Sequence, residues 1–62
     1  MIEGEAAQNI KCATDNVVGS MCAIRNNIIR DNNISERYLR EKLEIAEMCI
    51  KDIRGWMEES GR

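Results

Sequence analysis

The sequence predicts an all-α protein: an antiparallel two-helix hairpin that assembles into a homo-oligomeric helical bundle. Three observations point there. Apolar residues recur with a helical period in both halves, and nowhere do they alternate as a strand would require. A short polar knot, Asp31-Asn32-Asn33-Ile34, separates the halves, and proline is absent from the chain. Sixty-two residues make a single domain with a marginal core, so some staple is expected.

The first helix is expected from about residue 5 to 30. Ile10, Ala13, Val17, Met21, Ile24 and Ile28 are spaced 3, 4, 4, 3 and 4 apart and trace one face. Gly19 in the middle costs roughly 1 kcal/mol relative to Ala. Together with Ala23 it either forms a notch for a close backbone or simply weakens the helix; the sequence leaves both open.

Residues 31–34 follow as a turn, because Asn and Asp tolerate the left-handed conformation and bond to their own backbone. A connection this short sets the two helices antiparallel. The second helix is expected from about 35 to 59. Ser35 is placed to cap it, Glu36 suits its first turn, and Gly61 suits its end. Leu39, Leu43, Ala46, Ile50, Ile53 and Met57 are spaced 4, 3, 4, 3 and 4 apart, a seam of about three heptads.

A second stripe on this helix carries Tyr38, Ile45, Cys49 and Trp56, flanked by Met48. One partner helix covers one seam. Leaving Ile45, Tyr38 and Trp56 in water would forfeit several kcal/mol at ~25 cal/mol per Å2. Against a total stability of ~5 kcal/mol, that predicts a homo-oligomer of at least four helices. Its expected interface is Ile45, Cys49, Trp56 and Met48. The competing reading is a monomer with Tyr38 and Trp56 partly exposed.

Composition excludes several classes. The three cysteines, Cys12, Cys22 and Cys49, are odd in number and form no CxxC pair, and there is no histidine. That argues against a disulfide framework or a zinc site, so no metal and no cofactor are expected. Reduced cysteines buried as small apolar groups are expected, which suits a cytoplasmic protein. No apolar run approaches the ~20 residues of a membrane span, and no secretory leader is recognised. Nine basic and eleven acidic residues give a net charge of −2, without the basic excess of a duplex-DNA binder.

Catalysis has little to stand on, and no enzyme is expected. The carboxylates of the second helix alternate with cations as Glu36–Arg40, Arg37–Glu41 and Glu47–Lys51 pairs, the pattern of a solvated face. Basic residues suggest more. Arg30, Arg37 and Arg40 gather near the tip, and antiparallel packing brings Lys11 toward Arg54 near the open end. Such groups suit phosphate recognition, and in a symmetric oligomer each is repeated. As a pattern alone they read more readily as solubilising charges.

The segment KLEIAEM at 42–48, preceded by SER at 35–37, resembles the phage anti-CBASS and anti-Thoeris hairpin proteins, sponges for the cyclic-nucleotide signals of host immunity. Lys42, Leu43, Glu44, Ala46 and Met48 carry the likeness, with Ile10-Lys11 and Ile53-Arg54 similar to the family's other elements. The resemblance implies a non-enzymatic immune-evasion protein in the host cytoplasm. It would hold a cyclic di- or trinucleotide between subunits, with Lys11 and Arg54 at the ligand; Tyr38 and Arg40 of this chain are expected to complete the binding set. The alternative class is a helical-hairpin adaptor or inhibitor docking on a host protein through its apolar face. A third reading, an RNA-binding four-helix dimer using Arg25, Arg30 and Lys11, is opposed by the near-neutral charge.

Overall fold

The computed structural model describes residues 1–60 and contains two helices, α1 (Gly4–Asp31) and α2 (Glu36–Ser60), folded back on each other as a hairpin. Gly61, expected to end the second helix, lies outside the described residues. The reversal is built as the polar knot implies. Asn32 takes the left-handed conformation (φ 53°, ψ 26°), and its N–H donates to the Ile28 carbonyl over 2.7 Å. Asn27 ties the corner from inside the last turn, its Nδ2 donating to the Asp31 carboxylate and the Asn33 carbonyl. Ser35 opens α2: its Oγ accepts from the Tyr38 N–H at 3.4 Å, and its carbonyl accepts from the Leu39 N–H at 2.9 Å.

The buried and half-buried residues include a 4–3 repeat on each helix, which marks the seam between them. On α1 its members are Ala6, Ile10, Ala13, Val17, Ser20, Ile24 and Asn27. On α2 they are Leu39, Lys42, Ala46, Cys49, Ile53 and Trp56. Among the described residues only Ala13, Ser20 and Ala46 are buried, and no large side chain is fully enclosed. All three are small, and the bulkier residues beside the seam stand partly exposed on its flanks.

This displaces the seams expected from sequence. Leu39, Ala46 and Ile53 lie where expected, but Leu43, Ile50 and Met57 stand 39%, 43% and 51% exposed. On α1, Met21 and Ile28 are likewise exposed, and buried Ser20 occupies the level expected for Met21. The observed seam of α2 runs between the two apolar stripes and takes Cys49 and Trp56 from the second. Cys12 and Cys22, expected to be buried, are exposed. Nothing lies within 4 Å of the point a Cβ would occupy on Gly19, so within the hairpin the glycine serves no close approach.

The result is a slab of 45 × 16 × 12 Å with a radius of gyration of 14.2 Å. A compact domain of this length would measure about 11 Å. The accessible surface of 5038 Å2 exceeds the ~4100 Å2 that area scaling gives a compact 7.1-kDa monomer.

Candidate functional site

The seam divides the slab into two broad sides, and sequence offset from the seam decides which side a residue occupies. Because the helices are antiparallel, residues one step after a seam position in either helix share one side; those one step before share the other. The first side carries Met21 and Ile28 from α1 and Leu43, Ile50 and Met57 from α2, all exposed. At ~1.5 Å per residue from the tip, these side chains interleave into a nearly continuous apolar stripe. Farther out on the same side stand Val18, Lys11 and Arg25 along α1, and Arg40, Glu47 and Arg54 along α2. The stripe is therefore bordered by cations on both margins.

The second side is different in character. It carries Asn9, Asn16, Cys12, Gly19 and Asn26 from α1, and Tyr38, Glu41, Ile45, Met48, Asp52 and Gly55 from α2. Its large exposed apolar groups are Ile45 and Met48, with charged and amide groups between them. The four residues expected to join subunits are thus separated. Ile45 and Met48 lie on this side, 43% and 68% exposed, while Cys49 and Trp56 are half-buried in the seam.

The four residues expected at a ligand are partly brought together. Lys11 and Arg54 lie about 30 Å and about 27 Å from the tip, at nearly the same level and on the same broad side. Both point outward from their helices and are exposed. Arg40 shares that side but sits about 21 Å from Arg54 along α2. Tyr38 belongs to the opposite side, half-buried, with the Lys42 ammonium 5.3 Å from its ring centroid.

Local pairing sets the charge each cation has to offer. Lys11 donates to Asp15 at 2.9 Å, and that hydrogen bond, then the attraction of the carboxylate, raises the ammonium above its usual pKa. Lys11 stays charged but is partly neutralised. Arg40 pairs with Glu36 at 2.7 Å and Arg37 with Glu41 at 3.4 Å, and both pairs line a shallow groove that includes Glu44. Arg30 pairs with Asp31 at the tip. Arg25 and Arg54 form no ion pair among the described residues, so of the cations at the stripe's margins these two are least compensated.

A second shallow groove, lined by Lys51, Asp52, Gly55, Trp56 and Glu59, lies on the acidic side of α2. No cluster of Cys, Asp and Glu among the described residues is arranged to hold a metal ion. No helix among them is long and apolar enough to cross a membrane. Compared with family models, curated proteins and solved structures, the chain matches none.

Proposed function

We propose that this chain is a non-catalytic binding protein that acts as a homo-oligomer and sequesters a cyclic oligonucleotide between its subunits. The observation that carries this reading is the composition of the first broad side. Lys11, Arg25, Arg40 and Arg54 stand along the margins of an apolar stripe, where the phosphates of a ligand lodged between subunits would reach. Arginine forks match phosphate oxygens bidentately. Lys11 and Arg54 at one level supply cations from both helices. The resemblance of the KLEIAEM segment to phage sponge proteins supplies the ligand class, and with it a role in immune evasion.

Isothermal titration of the protein with a panel of cyclic di- and trinucleotides tests the proposal. Heat is expected with at least one of them, and Arg54→Ser is expected to weaken that binding at least tenfold without changing the oligomer. An absence of heat with every member of the panel overturns it.

A second reading is favoured by the same stripe viewed without its rims. Five large apolar side chains on one side of a hairpin are a helix-in-groove surface, suited to an adaptor or inhibitor of another protein. Under that reading the purified chain is monomeric, binds no nucleotide and forms a one-to-one complex with a protein partner.

A further inference from the structure

We infer that the side bearing Met21, Ile28, Leu43, Ile50 and Met57 is the surface through which two copies of this chain pair, slab on slab, about a two-fold axis lying between them. The inference rests on the proposed function's premise that copies associate and uses the same broad side, and it moves the contact to the opposite side from Ile45 and Met48. Three observations support it.

Area is the first. The chain exposes about 900 Å2 more than area scaling gives a compact monomer of its mass, close to the ~800 Å2 per partner of a standard protein interface. Distribution is the second. The five side chains come from both helices and span about 27 Å of the 45 Å rod, so a second identical slab meets all of them at once. A single short helix would cover only part of that stripe. The acid-bearing side offers only Ile45 and Met48 as large apolar contacts, interrupted by Glu41 and Asp52, and has no comparable stripe.

The third is the shape of the seam. The buried residues of the seam are the small Ala13, Ser20 and Ala46, and among the described residues no large side chain is fully enclosed. Stacking a second slab on the stripe creates the missing core: layers of Met, Ile and Leu between four helices. A two-fold arrangement is self-complementary and closes after two copies, because each stripe is used up by the other. Each margin then lies against a margin of the partner copy, so cations from both copies border the same groove.

Sedimentation equilibrium of the wild type and three variants decides the matter. The wild type and Met48→Glu are expected at twice the 7.1-kDa chain mass. Ile50→Glu is expected at the single-chain mass. Ile50→Ala, which keeps helix propensity, is expected to weaken pairing by about tenfold or more while the helical circular dichroism remains. A wild type at the single-chain mass overturns the inference. So does dissociation by Met48→Glu with Ile50→Glu still paired, or mass that grows without limit as concentration rises. A nucleotide titration without heat leaves the paired mass untouched, whereas a monomer that still takes up nucleotide removes the pairing and the between-subunit site but not nucleotide binding itself.

Discussion

Asn32 is the residue on which the reversal turns. Its left-handed backbone strains a side chain with a Cβ by roughly 1 kcal/mol or more, which Asn relieves better than most residues and Gly avoids. Asn32→Val is therefore expected to lower stability by about 1–2 kcal/mol and Asn32→Gly to leave it equal or slightly higher, read from urea midpoints at fixed chain concentration. Ser35→Ala, which removes the acceptor for the Tyr38 N–H, is expected to cost about 1 kcal/mol in the same experiment. Both roles were legible in the sequence, because turn and cap chemistry is local. Gly19 was not: only the space around it shows that no part of the hairpin needs the missing Cβ. Gly55 is equally open. Gly19→Ala and Gly55→Ala should each stabilise by roughly 0.5–1 kcal/mol, since both lie inside helices on the side proposed to stay uncovered. A loss of stability in either would mean that something packs there.

For the two helices, the sequence showed their existence and order but not their rotation about their own axes. The apolar arc of α2 spans two stripes, and periodicity alone gives no reason for a partner to sit over one of them. The choice follows from volume. Ala46 lies at the level of Ser20, with Ala13 about 12 Å farther along the seam, and these three small residues are the buried ones. Leu43, Ile50 and Met57 share the period of Ala46. They are bulkier and flank the seam. The same logic put Ser20 in the seam, where an apolar pattern had selected Met21. If small residues fix the rotation, enlarging one disrupts the hairpin. Ala46→Leu is expected to destabilise by about 1–3 kcal/mol through overpacking, more than Gly55→Ala or Met48→Ala shifts stability in either direction, as followed by thermal unfolding at one chain concentration.

For the molecule as a whole, the apolar surplus inferred from the sequence persists, but on a different surface. Trp56 and Cys49, expected to meet a second subunit, are half-buried inside their own hairpin, and the exposed surplus belongs to the side that carries Met21, Ile28, Leu43, Ile50 and Met57. The candidate ligand residues follow the same division: Lys11, Arg40 and Arg54 fall on the surplus side, Tyr38 on the other. Such a separation was invisible from spacing alone, because it depends on which residues the seam takes. A 12 Å slab with no enclosed large side chain has little to hold it folded in isolation, so folding and association are expected to be one process. Urea unfolding followed by helical circular dichroism, at chain concentrations spread over two orders of magnitude, addresses this linkage directly. Pairing through the apolar side predicts a midpoint that climbs steadily with concentration. A sharp, cooperative transition with the same midpoint at every concentration would contradict it.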